Sequence, residues 1–205
     1  MTMTNKMFDN QLLDGATVNQ LLRGTNLYLI GMMGSGKTTV GRLLAMQLKY
    51  KFIDTDTIIE QLTQKSIPQI FAESGEATFR EIETQVLGRV AAETRTAIAT
   101  GGGIVLHRQN WSYLHHGVVV WLDVPVEQLL KRLKGSTNRP LLNDPDPQQK
   151  LQQLLEQRRS LYALADVRVK VETEESPNSV AARVLYAVGG AIQAKLAEQP
   201  FPPNN

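Results

Sequence analysis

Short apolar runs alternate along this chain with longer stretches whose apolar residues recur every three or four positions. Leu27–Ile30, Tyr50–Ile53, Ala97–Thr100 and Val118–Leu122 are the short runs; each stops at glycine or aspartate and predicts a buried strand. Val167, Val169 and Val171 alternate with polar residues and predict a fifth strand. Between these runs, Val40, Leu43, Leu44 and Leu48 predict a helix, as do Ile58, Ile59 and Leu62, and then Phe79, Ile82, Val86 and Val90. Further helices are predicted over Val126–Leu133, from Gln148 to Tyr162, and from Ser176-Pro177 to Ala197, with a short one around Gln11–Arg23. Strands alternating with helices, most without clean in-out alternation, require a parallel sheet covered on both faces. The expected architecture is a three-layer α/β/α sandwich built on a five-stranded parallel sheet.

The segment Lys134–Pro147 breaks the pattern: three prolines and several turn residues leave almost no periodicity, which predicts a mobile surface loop. The expected division is an N-terminal extension over 1–26, one domain over 27–198 with a lid at about 134–147, and a frayed tail over 199–205.

Composition narrows the function. For the 205-residue, 22.8 kDa chain, surface scaling lets about 70% of the unfolded chain's surface be buried, enough for one well-formed core. Hydrophobic residues make up 42% and charged residues 20%, which excludes a disordered chain. Lys and Arg number 22 against 20 Asp and Glu, with no basic block, so neither nucleic acid nor a membrane surface is an expected partner. The absence of cysteine removes disulfides, thiolate nucleophiles and Cys-ligated metals. No apolar run reaches the length of a membrane span or a signal peptide core, so a cytoplasmic protein is expected. No long apolar stripe remains for a large interface, so a monomer is expected.

Candidate chemistry gathers at the carboxyl ends of the predicted strands, the edge where open α/β sheets place their ligands. Gly31-Met32-Met33-Gly34-Ser35-Gly36-Lys37-Thr38 fits G-x-x-x-x-G-K-[ST] in full, with a strand before it and a helix after. The glycines let backbone N–H groups wrap a phosphate, Lys37 reaches the outer phosphates, and Thr38 offers its hydroxyl to Mg²⁺. The bland alternative is a ligand-free strand-to-helix turn. Asp54 and Asp56 stand two residues apart at a strand end and would point to the same side if the chain stayed extended. One suits the neighbourhood of Mg²⁺; the other suits a substrate hydroxyl whose proton it accepts during phosphoryl transfer. The bland alternative makes Asp56 the N-cap of the next helix.

Gly101-Gly102-Gly103 strips side chains from a strand end where backbone must approach something closely, or is a flexible turn. Arg80 lies four residues after Glu76 and three before Glu83, which on its own reads as a solvated helical ion-pair ladder. Arg158-Arg159 reads on its own as a basic helix end. Arg132 and Arg139 flank or occupy the lid, where a closing arginine could stabilise transferring phosphate, or they are solvated loop charges. His107, His115 and His116 lack a third ligand at metal spacing, and Trp111 and Trp121 read as core.

Taken together and in order, Gly31–Thr39, Asp54-Thr55-Asp56, Gly75-Glu76 with Phe79-Arg80 and Glu83, Gly101–Gly103, Arg139-Pro140-Leu141-Leu142 and Arg158 with Leu161-Tyr162 resemble the shikimate kinase family. The resemblance spans about Leu27 to Ala197. It implies a P-loop kinase fold related to nucleoside monophosphate kinases, with a mobile lid and a substrate-binding helical region. It further implies transfer of the ATP γ-phosphate to the 3-hydroxyl of shikimate, on the route to chorismate and the aromatic amino acids. By the same resemblance Asp56, Lys37 and Arg139 are catalytic. Gly34, Ser35, Gly36, Lys37, Thr38, Thr39, Arg132 and Arg139 bind ATP, with Arg132 on adenine. Asp56, Arg80, Gly101, Gly102, Gly103 and Arg158 bind shikimate, the two arginines holding its carboxylate, and Thr38 and Asp54 hold Mg²⁺. The Val171–Pro177 turn corresponds to the adenine loop. Ser160 stands where the family often has proline, which leaves open whether Arg158 or Arg159 faces the ligand. Two other readings compete: a gluconate kinase of the same architecture, and a non-catalytic nucleotide-binding module.

Overall fold

A computed structural model describes residues 14–134 and 146–198. The lid expected at 134–147, including Arg139, lies almost wholly outside the described residues, as does the tail over 199–205. The strands are β1 (Leu27–Ile30), β2 (Lys51–Asp54), β3 (Thr96–Ala99), β4 (Val118–Asp123) and β5 (Val167–Lys170). They form one sheet in the order β2-β3-β1-β4-β5, and every pairing is parallel. The register sets Leu27 against both Ala97 and Val118, so the central strands begin within one residue of each other. The three inner strands are almost wholly buried, because helices cover both faces. Edge strand β5 instead buries alternate residues, which is why the sequence showed alternation there and not in the centre.

The helices are α1 (Gly15–Leu22), α2 (Lys37–Leu48), α3 (Thr55–Thr63), α4 (Ile67–Ala91), α5 (Arg108–Leu114), α6 (Val126–Leu133), α7 (Pro147–Tyr162) and α8 (Pro177–Glu198). Predicted strand limits are off by a residue at several ends, where hydrogen-bond register rather than hydrophobicity sets the boundary. The periodicity missed α5 and the 3-10 turn Ile104–Leu106 before it, because elements this short carry too few repeats. Asn110 and Trp111 anchor that turn through bonds to the carbonyls of Ile104 and Val105, and Trp111 is buried as expected. Helix α1, within the predicted extension, packs on α2 and α8 and sends Val18 and Leu22 into the main core.

Helix α4 begins with a capping box between Ser66 and Gln69 and bends at Gly75, where φ is 78° and ψ is 170°. A Cβ at Gly75 would meet nothing within 4 Å, so glycine is needed there for the backbone angle and not for space. At the carboxyl edge the chain leaves β1 into Gly31, β2 into α3, and β3 into Gly101–Gly103. Among the described residues no helix is long and apolar enough to cross a membrane.

Candidate active site

The glycine loop after β1 closes over its own lysine. Lys37, with 8% exposure, donates from Nζ to the carbonyls of Gly31 and Met32 at 2.9 Å each and to Ser35 Oγ at 3.4 Å. An ammonium fixed this way sits at the N-terminus of α2, where the helix dipole adds to its charge. Gly36, the N-cap, takes φ 95°, a left-handed backbone that brings the helix end round to the loop. Arg132, on the last turn of α6, donates from Nη1 to the carbonyls of Gly34 at 3.3 Å and Ser35 at 3.2 Å, so it lies over the outer face of the same loop. Thr38 and Thr39 are exposed on the first turn of α2.

The two aspartates are not on one extended strand. Helix α3 starts at Thr55, so Asp54 rather than Asp56 is the N-cap: its Oδ1 accepts from the N–H of Asp56 at 3.1 Å. A carboxylate caps a helix more favourably than it continues a strand, and this turns Asp56 away from the direction of Asp54. The other oxygen of Asp54, Oδ2, accepts from Thr38 Oγ1 at 2.7 Å. A hydroxyl and a carboxylate so close, beside the glycine loop, are hard oxygen donors that fit Mg²⁺. No cluster of three or more His, Cys, Asp and Glu gathers among the described residues, so the further ligands of an ion here would be water and phosphate.

Asp56 instead joins a cage around the triple glycine. A Cβ at Gly101 would come within 2.9 Å of Asp56 Oδ1 and 2.5 Å of Glu83 Oε1. One at Gly103 would run into the Arg80 guanidinium, and one at Gly102 would press on the backbone N of Met33 at 3.2 Å. Each glycine thus makes room for a different neighbour: the carboxylates, the phosphate loop, and an arginine. The flexible-turn reading fails, because the loop is tied down at several points. Gly101 N–H donates to the hydroxyl of buried Thr55 at 3.2 Å, and the Gly102 carbonyl accepts from Tyr162 at 2.6 Å and from Arg158 Nη1 at 3.2 Å. Arg158 is 8% exposed while Arg159 is exposed, so Arg158 faces the site.

The ladder around Arg80 exists, but its Glu83 rung is buried and only its Glu76 rung is solvated. Nη1 bonds Glu83 at 2.8 Å and Nη2 bonds Glu76 at 3.0 Å; the Arg80 and Glu83 side chains are 12% and 1% exposed, against 62% for Glu76. Burial raises the Glu83 carboxyl above its ordinary value, with nearby Asp56 adding to the rise, while Arg80 and Arg158 oppose it. Burial alone would lower the Arg80 guanidinium, but Glu83 and Glu76 outweigh that and raise it. Tyr162, stacked on Trp121 with ring centroids 5.6 Å apart, is pushed up to about 12 by burial and stays a neutral donor to Gly102. Glu83, Tyr162 and Thr55 were not singled out as site residues from sequence spacing, since a glutamate in an ion-pair pattern, a helix-end tyrosine and a threonine between aspartates carry no signal of burial.

Comparison with known proteins brings out one family by sequence and a wider likeness by fold. The family model for shikimate kinase matches residues 33–188. A shikimate kinase of Nostoc sp. is 57% identical over 86% of this chain and 97% of its own length. One of Rippkaea orientalis is 53% identical over 89% of this chain and 97% of its own. The structure of the Acinetobacter baumannii shikimate kinase in complex with shikimate superposes with a TM-score of 0.76, at 38% identity, covering 89% of this chain and 98% of that one. A gluconokinase from Sinorhizobium meliloti has a TM-score of 0.51 at 16% identity, a likeness of fold alone.

Proposed function

The chain belongs to the shikimate kinase family, and we propose that its carboxyl-edge site transfers the γ-phosphoryl group of ATP to the 3-hydroxyl of shikimate, giving shikimate 3-phosphate and ADP. In this reading the loop Gly34-Ser35-Gly36 with Lys37, Thr38 and Thr39 holds the phosphates, and Arg132 lies along the adenine side. Thr38 and Asp54 hold Mg²⁺, which when bound neutralises charge on the phosphate oxygens. Arg80 and Arg158 clamp the substrate carboxylate, for which the planar guanidinium fork is better shaped than an ammonium. Gly101, Gly102 and Gly103 lie against the ring. Asp56 accepts the hydroxyl proton as the new O–P bond forms and the bond to ADP breaks. Arg139, outside the described residues, is assigned to the transferring phosphate as part of a lid over about 134–147. The working unit in this reading is the domain over 27–198, with α1 packed onto its core, of a single cytoplasmic chain acting as a monomer.

The observation that carries this assignment is the placing of Asp56, Arg80 and Arg158 around one three-glycine loop, with no room for a Cβ at Gly101 or Gly103 and a tight fit at Gly102 against the loop that holds Lys37. A carboxylate-bearing polyol fits that combination of buried arginines and a poised aspartate. ADP release from Mg·ATP, measured with shikimate and with gluconate side by side, tests it. Shikimate-dependent turnover is expected, and turnover with gluconate alone would overturn the clamp assignment.

A further inference from the structure

A second cleft lies at the opposite, amino edge of the sheet, about four strand residues or roughly 13 Å from the glycine loop. Its volume is about 610 Å³, within the range of small-molecule sites, and it lies among the turns that lead into β1, β2 and β3. Arg23, Lys49 and Arg95 line it with the amides of Asn19, Gln20 and Gln47, and no carboxylate is among its lining residues. None of the three cations forms an ion pair among the described residues. The nearby Glu93 is already matched by Lys51 at 3.0 Å, and Asp14 is occupied as the N-cap of α1.

Two features separate this cluster from ordinary surface charge. All three cations take left-handed backbone, with φ of 50° at Arg23, 54° at Lys49 and 54° at Arg95. Glycine or asparagine usually occupies such positions because a bulky residue is strained there. Basic residues are favoured at helix C-termini, and α1, α2 and α4 do end here, but each end carries only about half a negative charge. Three cations against about −1.5 leave a surplus of about +1.5 facing the cleft, more than the helix ends require. Tyr50, which follows Lys49, has its hydroxyl buried next to Arg95 and the Gly24 backbone, with no hydrogen-bond partner of good geometry.

We propose that this cleft binds a small multivalent oxyanion, a metabolite carrying two or more phosphate or carboxylate groups, at a site separate from the phosphoryl-transfer site. The cleft's size suits a small solute, and exposed Arg23 and Arg95 supply planar forks while Lys49 supplies a point charge. The inference does not depend on which acceptor the kinase uses.

Calorimetric titration of the full chain with pyrophosphate, and separately with tricarballylate, tests it. Pyrophosphate also suits the glycine loop, so the titration is run on Lys37→Ala as well, where one binding event is expected to persist. The double variant Arg23→Gly/Lys49→Gly should weaken that event at least tenfold per lost cation while leaving the melting temperature unchanged or higher, since glycine adopts these angles freely. The swap Arg23→Lys/Lys49→Arg should restore it. A stronger response to pyrophosphate assigns a phosphate ligand, and a stronger response to tricarballylate a polycarboxylate one. Loss of all binding in Lys37→Ala, or full-strength binding in the glycine pair, would overturn the proposal.

Discussion

On the proposed nucleotide side the chain offers mainly its own backbone, one contiguous loop whose lysine is held by the loop's own carbonyls. On the proposed acceptor side it offers side chains from α3, α4 and α7, meeting over a glycine loop from β3. The two halves share an edge of the sheet but differ in how they fail. A loop defined by its own consecutive residues can lose one function and keep its shape. A cage assembled from distant segments shares its members: Arg80 touches Glu83, Glu83 neighbours Asp56, and the carbonyl that Arg158 holds is also held by Tyr162. Substitutions in the cage should therefore separate acceptor effects from nucleotide effects, and they rank by depth.

The largest effect belongs to Asp56→Asn. It should lower kcat by about 10²–10⁴ while moving the shikimate KM little, because the carboxylate's main contribution arises as the proton leaves the hydroxyl. Steady-state kinetics with an unchanged kcat would remove Asp56 from proton transfer. Next is Arg80→Ala, which gives up a charge-assisted contact and should weaken shikimate by roughly 10- to 100-fold with ATP affinity intact. An equal loss for ATP, seen in parallel binding titrations, would mean that the cage and the loop are one unit and that the comparison is misdrawn.

Glu83→Gln comes third and acts on stability. Because the folded Glu83 carboxyl sits above its unfolded value, its contribution is fully present below the ordinary glutamate range and is lost as pH rises through the raised value. The variant lacks that loss, so its melting temperature relative to the native protein should climb as pH rises across this range. A difference that stays flat in a thermal-unfolding series would show that Arg80 fully offsets the burial. The smallest effect is Glu76→Ala. The same arginine pairs with it, but at 62% exposure water screens the bond, and chemical denaturation should register no more than about 0.5 kcal/mol.

The same contrast decides what could be read without coordinates. The strand-loop-helix setting of Gly31–Thr38 was legible because its motif is written in consecutive residues, and the sheet was legible because burial on both faces leaves unbroken apolar runs. The acceptor cage was not legible from spacing. Arg80 with Glu76 and Glu83 looks identical whether the helix face is wet or dry, and dryness comes from α4 packing near α3 and the glycine loop. Extrapolating the strand through Asp54 and Asp56 failed because a one-residue choice, cap or continuation, lies below the resolution of periodicity. Only the family resemblance, which reads all the segments at once, placed Arg80 and Arg158 in one site.

The bend at Gly75 carries a consequence of its own. Its φ of 78° and ψ of 170° are the mirror image of an ordinary extended residue, and empty space surrounds the missing side chain. The position thus opposes an L side chain by backbone angle and not by bulk: an L-alanine there meets no atom yet opposes the backbone, whereas the backbone angles are those a D-alanine introduced by chemical ligation would favour. The direction in which Ile70 and Phe71 leave the arginine-bearing half of the helix is encoded in handedness alone.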